Sequence, residues 1–141
     1  MTISSYDPAG HDLVFAGNVI EGFADGAPIS IVRDANKASD KVGIMGDVVM
    51  TWLHDDRATA TVTLNATSAS NDILSAAADQ RVIGSFLLRD RKGTMQVMSA
   101  FAWVQKMPDV TVDTEAPSRA WEIRLAKAKI RVGSSLSLAV G

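Results

Sequence analysis

The sequence predicts a mainly β domain, a small β-barrel or sandwich of two packed sheets flanked by one short α-helix. Three observations carry that prediction. About seven runs have strand character, and their order lacks the strand-helix-strand rhythm of a parallel sheet. One window, Ser68 to Asp79, shifts from period two to helical period. The last run, Arg119 to Val132, changes phase midway, and a straight strand with such a change would turn half its core outward.

In chain order, residues 1–11 are polar, contain Pro8 and read as a weakly ordered N-terminal arm. Leu13, Phe15 and Gly17 then alternate with Val14 and Ala16 and run on into Val19 and Ile20, which suggests one strand covered on both faces. Glu21 to Gly26 holds two glycines and an Asp-Gly pair, a connection tight enough for a hairpin to the short strand at Ile29, Ile31 and Val32. Residues 34–47 are charged, lack a period and contain Gly43 and Gly46, so they form a long extended loop or an extended hairpin. Loops of that length are usually functional or disordered. Arg33, Asp34, Asn36, Lys37, Asp40 and Lys41 are accordingly candidates for a contact arm, with a plain solvated loop as the alternative.

Val48 to Leu53 resumes strand character, and His54-Asp55-Asp56 turns the chain. Ala58, Ala60, Val62 and Leu64 alternate with Thr59, Thr61, Thr63 and Asn65, so one face of this strand is apolar and the other hydroxylated. Ser68 or Ser70 can cap the helix that follows. Asp72 sits in its first turn, where the helix dipole favours an anion, and Ile73, Leu74 and Ala77 fall on one stripe. Gly84 to Arg89 is a strand, Asp90 to Gly93 a polar turn, and Thr94 to Val104 a long strand with Met95, Val97, Phe101 and Trp103 on its bulky face. Pro108 closes that strand. Val110 and Val112 suggest a brief extended segment, and residues 113–118 a loop. In the final run Trp121, Ile123 and Leu125 are apolar at odd positions but Ala126, Ala128, Ile130 and Val132 at even ones, so a bulge or bend near Leu125 or Ala126 is required. Residues 134–141 are a small C-terminal tail. Phe86, Phe101, Trp103 and Trp121 lie in phase with aliphatic neighbours and are assigned to the core.

At 141 residues the chain fits one domain spanning 1–141. The absence of cysteine excludes a disulfide framework and thiolate metal sites and suits a reducing compartment. No run approaches the roughly 18 apolar residues of a membrane span, and the first ten residues do not resemble a signal peptide, so a soluble, unprocessed chain without membrane insertion is expected. The net charge of -2 hides an uneven distribution. Residues 1–56 hold nine acids against Arg33, Lys37 and Lys41, and the remainder holds eleven bases and seven acids. Unlike faces favour heterologous, head-to-tail contact, which closes into rings or extends into filaments.

Catalytic patterns are lacking. There is no GxSxG elbow, no phosphate-binding Gly-rich loop with its lysine, and no GxGxxG before a helix. His11 beside Asp12 and His54 beside Asp55 and Asp56 are turn neighbours that do not converge as three or four metal ligands. No cofactor and no enzymatic activity are expected. Lys127, Lys129 and Arg131 share one side of the last half-strand as a positive stripe without an aromatic to stack a base. It is a solvated face, a phosphate attractor, or a contact for the acidic N-terminal half.

Three segments together carry a family resemblance. They are Gly22-Phe23-Ala24-Asp25-Gly26, the run from Thr67 to Ser75, and Trp103 to Pro108 continuing to Arg119-Ala120-Trp121. In order and spacing, over roughly Gly17 to Val132, the chain resembles the tail tube proteins of contractile-tailed bacteriophages. The resemblance implies a virion protein, assembled in the host cytoplasm, of which six copies form a ring and rings stack as a hollow tube inside a sheath. DNA would pass through the lumen without sequence-specific binding, and partners would include sheath, baseplate and tail-terminator proteins. It also implies that the arm 34–47 makes inter-ring contacts. The helix, with Asn71, Asp72, Leu74 and Asp79, would lie on the tube exterior or at a subunit boundary. The Thr-rich face of the strand at 58–65 would line the channel or pair with a neighbour. The inner tube of a tailocin or contractile secretion system, and a monomeric β-barrel that binds a small ligand, are the alternative readings.

Overall fold

The computed structural model describes residues 10–24, 28–91 and 95–133. Alternation becomes pairing most plainly in β6 (Ala58–Asn65), where Ala58, Ala60, Val62 and Leu64 are buried and the threonines between them half-buried. On one side β6 pairs with β9 (Ser118–Leu125) along its whole length, Ala58 opposite Leu125 and Asn65 opposite Ser118. On the other side lies β3 (Ile29–Arg33). Every pairing is antiparallel.

The hairpin before β3 is not the one expected. Residues 13–20 form two strands, β1 (His11–Phe15) and β2 (Asn18–Ile20), joined by Ala16 and Gly17 at φ 51° and 82°. Positive φ at both central residues is the two-residue turn that suits strand twist, and Gly17 makes it inexpensive. β2 does not pair with β3. β2 ends one edge of the sheet and β3 the other, and the chain crosses from β2 to the end of β6 within residues 21–24, where Gly22 O accepts the Asn65 N–H at 2.9 Å and the Ala24 N–H donates to Thr63 O at 3.0 Å. Asp25 and Gly26 lie outside the described residues. The crossing is anchored at Glu21, whose N–H donates to Ser70 Oγ at 2.9 Å and whose carbonyl accepts from Ser68 Oγ at 2.6 Å. Gly22 follows at φ 78°, where an added Cβ would meet Ser68 Oγ at 2.5 Å.

The eight-stranded sheet runs β2-β1-β7-β8-β9-β6-β3, with β10 also on β8, and bends over into two packed sheets. β7 (Gly84–Asp90) pairs with one side of β8 (Met95–Lys106). β9 and β10 (Ala128–Val132) share its other side in one register, Ala102 opposite Leu125 and Ser99 opposite Ala128. The phase change expected near Leu125 is therefore real, and it is matched in β8. Val97 and Ser99 are buried, then Ala102, so both strands kink together at 100–101 and 126–127. Ala126 N–H to Phe101 O at 2.9 Å and Ser99 Oγ to Phe101 O at 3.1 Å stitch the kink. The kink corrects the core assignment of two aromatics. Phe101 is 56% exposed and Trp103 only half-buried, whereas Phe86 and Trp121 are buried as expected.

Helix α1 (Ser70–Asp79) packs on β8 and β2 and contributes Leu74 and Ala77 to a core of Leu13, Phe15, Phe86, Val62, Leu64, Ile123, Leu125 and Trp121. Neither serine caps it in the expected way, because both are committed to Glu21. Ala69 stands at the cap, and Ser68 Oγ accepts the Ser70 N–H at 3.2 Å. One correction concerns the N-terminal end. His11 belongs to β1 and not to an arm, and residues 1–9, 92–94 and 134–141 lie outside the described residues, as do the expected N-terminal arm over 1–9, part of the turn at 90–93 and the C-terminal tail.

Candidate assembly surfaces

The segment expected as a loop or an extended hairpin is a hairpin. Among the described residues β4 (Ala38–Val42) pairs only with β5 (Val48–Trp52) in a sheet of its own, with 34–37 leading into it and 43–47 as its tip. Lys37 O accepts the Leu53 N–H at 2.8 Å, closing the hairpin at its base, and Gly46 turns the tip at φ 84°. Beyond Ala38 every residue is exposed, including Val42, Ile44, Met45, Val48, Val49, Met50 and Trp52. An isolated two-stranded hairpin is marginal in water, and an apolar one presents unpaired edges to any chain it meets.

The charged residues singled out around it divide into two sets. Asp34 is committed within the subunit: its carboxylate accepts from Thr59 Oγ1 at 3.1 Å and ion-pairs with Arg124, the two side chains being 19% and 20% exposed. Arg33 Nη1 donates to Asp56 O at 2.8 Å. Asn36, Lys37, Asp40 and Lys41 remain exposed, Asp40 opposite Met50 and Lys41 opposite Val49. These four are available to a partner.

The helix divides in the same way. Leu74 is wholly buried. Asn71 is used on both sides of its amide, donating to Asn65 O at 2.9 Å and Ser68 O at 3.2 Å and accepting from Trp121 Nε1 at 2.9 Å. A boundary role for Leu74 and Asn71 is thus replaced by a structural one, and Asp72 and Asp79 are the exposed members of the set. Sequence reasoning missed the cleft of about 340 Å³ beside the helix C-terminus, lined by Ala77, Arg81, Val82, Ile83, Trp103 and Val104. Nothing in the sequence announced it, because Trp103 lies in phase with Met95 and Val97 and comes to the cleft only after the kink in β8.

Local electrostatics are those of exposed ion pairs. Arg57 donates to Asp55 at 2.9 and 2.8 Å and holds its carboxyl down to about 2. The Arg91 guanidinium, 3.1 Å from Asp12, lowers that carboxyl, with Arg89 at 3.8 Å adding to the effect. His11 stands opposite Asp90 in the sheet, and His54 is exposed after β5. No cluster of three His, Cys, Asp or Glu residues that could hold a metal occurs among the described residues. No helix among them is long and apolar enough to cross a membrane.

No protein-family model matches the chain, and no curated protein matches it. Solved structures do match. The chain is similar to one from the sheath/tube terminator of an extracellular contractile injection system in its extended state, at 9% identity and TM-score 0.63, over 94% of this chain and 100% of that one. It is similar to the tube-terminating cap of the anti-feeding prophage, at 8% identity and TM-score 0.58, over 94% and 95%. It is also similar to a chain of the extended sheath-tube complex of such an injection system, at 8% identity and TM-score 0.60, over 91% and 92%. The fold is therefore the tail-tube-like β fold that the sequence resemblance implied. Identities this low speak for fold and not for role.

Proposed function

We propose that the chain is a structural subunit of a contractile, tail-like particle, whose copies close into hexameric rings stacked as a hollow tube within a sheath. The observation that carries this reading is the β4–β5 hairpin, which projects a run of apolar residues left exposed by the rest of the described residues. Apolar surface of that kind marks a contact with another chain. In a stacked tube the hairpin spans from one ring to the next, with Asn36, Lys37, Asp40 and Lys41 at or beside the contact. The partners on this reading are further copies, then sheath, baseplate and terminator proteins. In a phage virion the tube, assembled in the host cytoplasm, conducts DNA during infection; in a tailocin or secretion system it serves as the inner tube. The role is mechanical, not enzymatic.

The likeness to a terminator over the whole of that chain favours a second reading, a ring that caps a tube and stops its growth. Electron microscopy of the purified protein at rising concentration separates them. Tubes with an axial hole are expected of a tube subunit, and isolated rings of a terminator. A protein that stays monomeric at every concentration would overturn both, and it would favour the ligand-binding barrel.

A further inference from the structure

We propose that the acidic segment 107–117 of one copy docks in a basic cleft of a second copy, joining subunits head to tail. This contact rests on the reading of the chain as a self-assembling subunit. The cleft, of about 420 Å³, is lined by Arg33, Lys37, Lys129 and Arg131 against one acid, Asp56. Arg33 is occupied by Asp56, through its carbonyl at 2.8 Å and its carboxylate at 3.9 Å. Lys37, Lys129 and Arg131 make no ion pair among the described residues. Met98, Ala128 and Ile130 add apolar lining. A concave site with uncompensated cations focuses a positive potential, and its complement is an anionic segment with apolar side chains. A single-stranded nucleic acid would call for aromatics to stack on, and none lines the cleft.

The chain contains such a segment. Residues 107–117 (MPDVTVDTEAP) hold Asp109, Asp113 and Glu115 and no base, and they form no strand. Val110 is 82% exposed and Val112 94%, so they project into solvent beside the acids. Arg119 holds the midpoint through Thr111 O at 3.1 Å, and Pro117 O accepts the Ala66 N–H at 3.0 Å. Cleft and segment stand at opposite ends of β8. Met98 lines the cleft and the segment leaves after Lys106; along β6, the cleft's Arg33 pairs with Ala58 and the segment's Pro117 bonds Ala66, about 26 Å of strand away. A loop tethered at both ends reaches roughly 20 Å from either anchor at most. The segment therefore cannot fill its own cleft. Donor and acceptor on opposite ends make a heterologous contact, which repeats along an axis.

The chain has no cysteine, so a paired variant reports the contact without background. Met98→Cys with Thr114→Cys in the full chain, mildly oxidised, is expected to yield a ladder of linked dimers, trimers and higher species, whereas either substitution alone yields dimers at most. Lys129→Glu with Arg131→Glu should reduce the ladder on the order of tenfold, and adding Asp113→Lys with Glu115→Lys should restore it. Electron microscopy of the unsubstituted chain is read separately. Rings or tubes without a ladder overturn the docking and leave the proposed function standing. A ladder from a chain that forms neither rings nor tubes supports the docking and removes that function. A ladder indifferent to charge reversal, or cleft cations that bind polyphosphate and leave the ladder intact, also overturn it.

Discussion

Asn71 shows how much one side chain can hold. Its amide joins the turn after β6, the start of the helix and the indole of Trp121, which is 2% exposed. Asn71→Ala would leave a buried indole N–H without a partner, and such groups cost about 1–3 kcal/mol. Chemical denaturation should show a loss of that size; a loss below about 0.5 kcal/mol would mean the indole finds another acceptor. Asp12 contributes to the acid limb of stability. Arg91 and Arg89 lower its folded pKa below 3.8, so its stabilising contribution is complete above that value and vanishes as pH falls through the folded one. Melting temperature should thus fall less steeply below pH 4 in Asp12→Asn than in the parent, and identical slopes would refute the assignment. Asp55 has the lower pKa, yet its partner is two residues away, so the pair can persist in the unfolded chain and couples weakly to folding.

Among the elements, the hairpin and the kinked strand pair differ in what they depend on. Among the described residues β4 and β5 pair only with each other, and the bond from Leu53 N–H to Lys37 O brings their ends together. Replacing 38–52 with a short Gly-Ser turn is therefore expected to leave the melting temperature within a few degrees of the parent while abolishing tube growth. Removing 36–42 alone is the poorer experiment, since it would strand β5 without a partner. Tubes of unchanged length from the replaced chain would remove the hairpin from the inter-ring contact. The kink at 100–101 and 126–127 belongs wholly to the fold. It shifts the buried phase of β8 from odd to even positions, buries Ala102 and leaves Phe101 outside.

At the scale of the molecule the chain has two unlike ends. Asp56, the hairpin base, Lys129 and Arg131 gather at one, and the helix start and the segment 107–117 at the other. The uneven charge in the sequence pointed to unlike faces, but it divided them at residue 56, and the acids and bases that face the cleft come from both sides of that point. Period-two alternation determined β6 and β9 because each has one buried face, and that need is written locally in residue type. The single helix and the bend in the last run were legible for the same reason. Only the tertiary structure decided that residues 13–20 are a hairpin, that Asn71 and Asp34 are committed inward, and that Lys37 lies with Lys129 beside one cleft. Those facts depend on which strands become neighbours, and neighbours 90 residues apart leave no mark in a local pattern.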